Sequence, residues 1–144
     1  MNTVRAQVDV HIKNTPEAVL AYIADVRNRP LFLSVLKTVS DIQGDPSAVG
    51  TTWKWTAGAF GMEFQGIGRC VEHQPGRLYV SKTEGGIEGT VTYRVEPEGN
   101  GTKLSIDSEC AMPAKLPAQN VLERMNRTEA ERIGEGLKAI LDRE

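Results

Sequence analysis

The sequence predicts an α+β fold: a curved antiparallel sheet of seven strands with two short helices after strand 1 and a long C-terminal helix across its concave face. Three observations predict it. Strict period-two alternation opens the chain, six further runs of strand character follow one another through short Gly-, Pro- and Asn-containing connections, and the last segment switches to a helical period. An antiparallel sheet with its helices on one side must bury one face of each strand against the apolar stripe of the long helix.

In the first strand Val4, Ala6, Val8, Val10 and Ile12 alternate with Arg5, Gln7, Asp9, His11 and Lys13, so one face is buried. A helix follows in "NTPEAVLAYIADV", where Thr15 can cap, Pro16 suits the first helical position and Glu17 favours the positive end of the helix dipole. Val19, Leu20, Ile23 and Val26 form its apolar face. Asn28-Arg29-Pro30 breaks it, and "LFLSVL" reads as a second short helix or turn. Strands are predicted at 35–42, 51–57, 62–72, 78–83, 87–95 and 102–111, separated by "GDPSAVG", "AGAFG", "HQPGR", "EGG" and "PEGNG". The six form a meander, which leaves the first strand to join an edge. Pro113 and Pro117 punctuate the exit, and Leu122, Met125, Ile133, Leu137 and Ile140 then share one face of a helix at about 118–142.

The chain has 144 residues, 40% hydrophobic and 25% charged. That suits one ordinary domain over 1–144 and argues against disorder. A net charge of −2 argues against nucleic acid or an anionic membrane surface as partner. No apolar run approaches a membrane span, so no stable membrane insertion is expected, and "MNTVRAQVDVHIKN" lacks a signal layout. The expected compartment is cytoplasmic. Cys70 and Cys110 lie outside any C-x-x-C spacing and read as reduced thiols.

The stretches that carry the layout also resemble a known family. "VDVHIKNTPEAVLAYIADVRNRPLF", Gly50 before the Trp strand, "EHQPGRL" and "GNGTKLSI" are similar to the punctuation of the START/SRPBCC superfamily with its helix-grip fold, in particular its polyketide cyclase/dehydrase and lipid-transport branch. One departure is that the family often has Trp followed by Pro after the helix turn, where this chain has Phe32 and Ser34. The resemblance implies an apolar cavity between sheet and long helix. Its members include lipid carriers, hormone receptors, aromatase/cyclases and co-chaperones, among which fold alone does not choose.

Alternation assigns the faces. Trp53 and Trp55 oppose Lys54 and Thr56; Met62 and Phe64 oppose Glu63 and Gln65; Val91, Tyr93 and Val95 oppose Thr92 and Arg94; Leu104, Ile106, Ser108 and Cys110 oppose Ser105 and Asp107. Trp53, Trp55, Met62, Phe64 and Tyr93 are the candidate ligand wall, joined by Met125 and Ile133 from the helix. Tyr93 and Ser108 are its candidate polar groups on the sheet. Glu129 and Gly136 fall within the helix stripe. Glu129 is expected to overhang the sheet and stay wet, with a polar anchor or proton acceptor inside the cavity as the alternative. Arg132, three residues on, can pair with it. Gly136 makes room for the sheet or a ligand.

Motifs for other chemistry are missing. Two separated histidines give no metal-ligand spacing; His11 alternates outward and His73 sits beside a turn. No serine sits in a nucleophile elbow, and "GIGRC" lacks the third glycine of a dinucleotide fingerprint. No cofactor is expected. The leading expectation is binding of a hydrophobic small molecule, whether lipid, polyketide or aromatic. The alternative is a cyclase or dehydratase using Glu129 or Tyr93 as acid or base, and the third reading is a protein-interaction domain.

Overall fold

A computed structural model describes residues 3–59, 61–111 and 119–143. The strands are β1 (Thr3–Ile12), β2 (Leu36–Gln43), β3 (Thr52–Ala59), β4 (Met62–Gln74), β5 (Leu78–Gly85), β6 (Glu88–Glu98) and β7 (Gly101–Ala111). The helices are α1 (Pro16–Ala24), α2 (Arg29–Phe32) and α3 (Gln119–Leu141), with a 3₁₀ turn at Val26–Asn28 between the first two. All strand pairs are antiparallel, in the order β1-β7-β6-β5-β4-β3-β2. The meander therefore holds, and β1 joins its far edge beside β7. The expected turn residue Phe60 and the exit prolines Pro113 and Pro117 lie outside the described residues.

Local chemistry explains the helix starts and the strand faces. Thr15 Oγ1 accepts a hydrogen bond from the Ala18 N–H at 3.2 Å, with Pro16 at the start of α1. Opposite β3, Trp53 pairs with Gly68 and Trp55 with Gly66. A Cβ on Gly66 would come within 2.6 Å of the Trp55 ring, and one on Gly68 would strike the Trp53 indole. Each indole thus lies over a glycine of β4. A glycine in a strand costs about 1 kcal/mol or less, whereas each buried indole removes roughly 200 Å² from water at about 25 cal/mol per Å². Burial wins.

The inner face changes phase along β4. Cys70 pairs with Ser81 but Glu72 pairs with Val80, so Val71 is an extra, exposed residue. This bulge bends the strand. It also brings His73 opposite Tyr79, with ring centroids 5.5 Å apart. His73 is half-buried rather than a surface residue, and its Nδ1 lies 2.6 Å from the Ser47 carbonyl. His11 sits opposite Lys103 on β7 and bonds Glu98 through Nδ1 at 2.7 Å.

The long helix lies chiefly over β1 and β7 and beside α2. Its buried stripe runs Leu122, Asn126, Ala130, Ile133, Gly134, Leu137. The expected stripe is thus rotated: Met125 and Glu129 are at its edge, and Ile140 is exposed. Gly134, not Gly136, faces the sheet; a Cβ there would meet Val10 and Ile106 at 3.5–3.8 Å. A Cβ on Gly136 would instead meet Phe32 of α2, 3.6 Å from its carbonyl oxygen. The C-terminal end is tied to the β1–α1 junction. Asn14 Nδ2 donates to the Leu141 carbonyl at 3.0 Å, the Lys13 N–H donates to Asp142 Oδ1 at 2.8 Å, and Lys138 Nζ donates to the His11 carbonyl at 2.9 Å. Among the described residues no helix is long and apolar enough to cross a membrane.

Two glycines give opposite expectations. Gly134→Ala should raise stability by about 0.5–1 kcal/mol in urea unfolding, because the methyl finds ordinary contact distances and helix propensity improves. Gly68→Ala should lower it by about 1–3 kcal/mol, because the Trp53 indole must move. The backbone N–H of Lys13 and the Lys138 ammonium hold Asp142 below its ordinary carboxylate pKa. A depressed folded-state pKa gives stability that is present above the unfolded value and lost as pH falls through the folded one. Asp142→Asn should therefore lower the unfolding midpoint at pH 7 and converge with the parent protein as the pH drops well below about 4.

Candidate functional site

Side chains near the ends of β5, β6 and β7 meet α3 around an open cavity of about 380 Å³. That lies at the low end of the roughly 300–1,000 Å³ of ligand pockets. Leu33 and Val35 from the α2–β2 connection form one wall, Ile87 and Val91 the floor toward the β5–β6 hairpin, and Leu122, Met125 and Ile133 the helical wall. Gly89 leaves space on β6, and the Thr83 hydroxyl donates to the Ile87 carbonyl at 3.1 Å, closing the hairpin. A larger depression, about 580 Å³, lies against outward side chains including Arg77, Arg94 and Glu96. It lacks the buried apolar walls that ligand affinity needs, so the cavity under α3 is the stronger site.

Four of the predicted residues line this cavity: Ser108, Met125, Glu129 and Ile133. The other five sit elsewhere. Trp53 and Trp55 are buried core residues at 3% and 4% exposure, and Tyr93 is fully buried. Phe64 is half-buried against the small cluster of Val4 and Leu122. Met62 shares the inner face but pairs with Ala59 at the end of its hairpin, where it overhangs the covered layer and is 47% exposed. Alternation gave its face correctly, but burial depends on whether something lies above it.

The polar groups of the cavity are tied into the fold. Ser108 Oγ donates to Asn126 Oδ1 at 2.8 Å, and Asn126 Nδ2 donates to the Ser108 carbonyl at 2.9 Å. Both residues are buried, so this reciprocal pair pins α3 to β7 at the cavity wall. Asn126 was not singled out from sequence, although it lies four residues after Leu122 and four before Ala130 on the stripe. Glu129 is half-buried rather than wet: it accepts from Ser34 Oγ at 2.5 Å and from the Val35 N–H at 3.4 Å. It thereby ties α3 to the α2–β2 connection. The expected Glu129–Arg132 pair does not form, and Arg132 makes no ion pair with a described residue; it borders the cavity separately. Burial pushes the Cys110 thiol, also on the lining, up to about 11. It stays protonated at neutral pH and is a poor nucleophile there.

The deeper interior holds a feature that sequence reading missed. Arg29, read as part of a helix break, is only 4% exposed. Its Cζ lies 5.1 Å from the Tyr79 ring centroid and 5.4 Å from that of Trp53. Its Nη1 donates to Ser81 Oγ at 3.4 Å. Burial pushes the Tyr79 phenol up to about 12 against the opposing pull of Arg29, and burial also raises Tyr93. Both phenols therefore remain protonated donors.

The profile of the family described as "Polyketide cyclase / dehydrase and lipid transport" matches residues 3–142. The chain belongs to this family. Its fold is of the START/SRPBCC, helix-grip type. Among solved structures, the Zhui aromatase/cyclase from Streptomyces sp. R1128 superimposes with a TM-score of 0.79 at 12% identity, covering 96% of this chain and 93% of that one. The protein TTHA0849 from Thermus thermophilus gives 0.78 at 18% identity, covering 96% and 95%. A START superfamily protein from Mycobacterium smegmatis gives 0.76 at 12% identity, covering 96% of each chain. At these identities the likeness is one of fold. No curated protein matches the sequence.

The Ser108–Asn126 pair should be energetically visible. Asn126→Ala leaves a buried hydroxyl and carbonyl without their partner and should cost about 1–3 kcal/mol in urea unfolding. Combining Asn126→Leu with Ser108→Ala should cost less than Asn126→Ala alone, because no buried polar side chain is then orphaned.

Proposed function

We propose that the cavity under α3 binds a hydrophobic small molecule. The observation that carries this reading is the cavity's own chemistry: an open space of about 380 Å³ walled chiefly by aliphatic and thioether side chains, with the Ser108–Asn126 pair and Glu129 as fixed polar points. Affinity would come from apolar burial at roughly 25 cal/mol per Å², less the cost of ordering the ligand. Family membership supports a ligand-binding or cyclase role and leaves the ligand open. Lipids, polyketides and aromatics all have the required apolar body.

A second reading, cyclase or dehydratase chemistry in the same cavity, is favoured by the family's description and by the position of Glu129. Its carboxylate is oriented by Ser34 and Val35 and borders the cavity, as a general base requires. Tyr93, kept protonated by burial, would be suited to acid rather than base chemistry.

Titration with N-phenylnaphthylamine, a neutral apolar probe, tests the binding reading. Saturable binding should be weakened about tenfold or more by Met125→Trp, which fills the cavity from α3. It should be unchanged in Arg127→Trp, on the exposed face of the same helix. Equal binding in both variants would place the probe elsewhere and overturn the reading. Glu129→Gln separates the two readings: a pure carrier keeps its affinity, whereas turnover of a cyclisable substrate would be lost.

A further inference from the structure

Arg29 is a buried cation with no counter-ion among the described residues. Of its five N–H donors one, on Nη1, meets an acceptor among the described residues, the Ser81 hydroxyl; Nε and Nη2 meet none there. Beside it, Tyr93 Oη has no hydrogen-bond partner among the described residues, and Tyr79 Oη has only the weakly bonding Cys70 thiol near it. The Tyr79 and Tyr93 rings stand 6.4 Å apart, and Arg29 lies over the first of them. Stacking on Trp53 and Tyr79 offsets part of the cost of burying a guanidinium, but it supplies no acceptor for the free N–H groups. The surplus is all of one kind: donors around a positive charge.

Register places Ser81, Tyr79 and Tyr93 one or two strand steps inward of residues that line the cavity, in the buried layer next to it. On β5, Thr83 lines the cavity and pairs with Gly89; Ser81, two residues deeper on the same face, receives the Arg29 bond, and Tyr79 lies two deeper again. On β6, Val91 lines the cavity and Tyr93 is the next inward residue. One such step is about 7 Å. The charged side chains around the opening, Glu109, Glu129, Arg124 and Arg132, balance one another, so the net positive charge of the site comes from its inner end.

We propose that Arg29, with Tyr79 and Tyr93, is the recognition point for the carboxylate of an amphipathic organic acid whose apolar body fills the cavity. This rests on the binding reading above and narrows its ligand class. A carboxylate presents two oxygens and about four acceptor sites, which matches the free Nε and Nη2 edge of a guanidinium together with neutral phenol donors. A neutral lipid or hydrocarbon would leave those donors unmatched.

Calorimetric titration with acid and methyl-ester pairs tests this, using decanoic acid for a straight chain and naphthoic acid for an aromatic body. Each acid that fits should bind about tenfold to a hundredfold more tightly than its ester. Which pair does so tells fatty from aromatic acids. Arg29→Met, close in volume and without the charge, should abolish the preference while leaving ester binding in place; its folding is checked by circular dichroism. Tyr93→Phe removes one hydroxyl from the core and should reduce acid affinity several-fold without changing ester affinity. Equal binding of acid and ester by the parent protein, or an undiminished acid preference in both variants, would overturn the carboxylate assignment while leaving the cavity reading intact. Failure of both acids, both esters and N-phenylnaphthylamine to bind would overturn the two together.

Discussion

The position of α3 is the constraint on which the rest depends. Its Gly134 side sits against Val10 and Ile106, its Gly136 side against Phe32, and its end is bonded to the β1–α1 junction. Helix and sheet edge are thereby closed over β1 and β7. Near the β5–β6 hairpin, around Thr83, Ile87, Gly89 and Val91, helix and sheet leave an open space that is bridged at its sides by contacts. Asn126 holds one side to Ser108 and Glu129 holds the other to Ser34. The cavity is the space between those two attachments.

The interior below has a different character. The two indoles of β3 lie over glycines of β4, and the bulge at Val71 turns Tyr79 and His73 toward one another. Arg29 enters this aromatic layer from α2 and stacks on two of its rings. Burying a guanidinium with free N–H groups costs folding free energy that the stacking offsets only in part.

Much of the fold was legible because its signals are local. Strand alternation, the Thr15–Pro16 start of α1, the turn glycines and the period of the last segment each act within a few residues, and together they gave the order and most of the inward faces. The candidate site was legible only in part. Ser108, Met125, Glu129 and Ile133 border the cavity, while Trp53, Trp55 and Tyr93 are core and Met62 overhangs its hairpin. On β5 no face was assigned by alternation; Tyr79 and Ser81 are the buried residues, while the apolar Leu78 and Val80 are half-buried. Arg29 gave no signal, since an arginine beside a proline in a charged turn reads as solvated.

The sequence by itself determined which elements form, that they form an antiparallel sheet with a long helix against it, and which side of most strands faces inward. The tertiary structure decided how deep along each strand an inward side chain lies, which helix residues meet the sheet, and that Arg29 is enclosed. The physical reason is that alternation has a period of two and carries no information about position along the strand. Depth is set by where α3 rests, and that is fixed by packing between residues more than a hundred positions apart, such as Gly134 and Val10. The register shift at Val71 likewise depends on how β4 meets β5, so the face of Tyr79 could be read only once the two strands were paired.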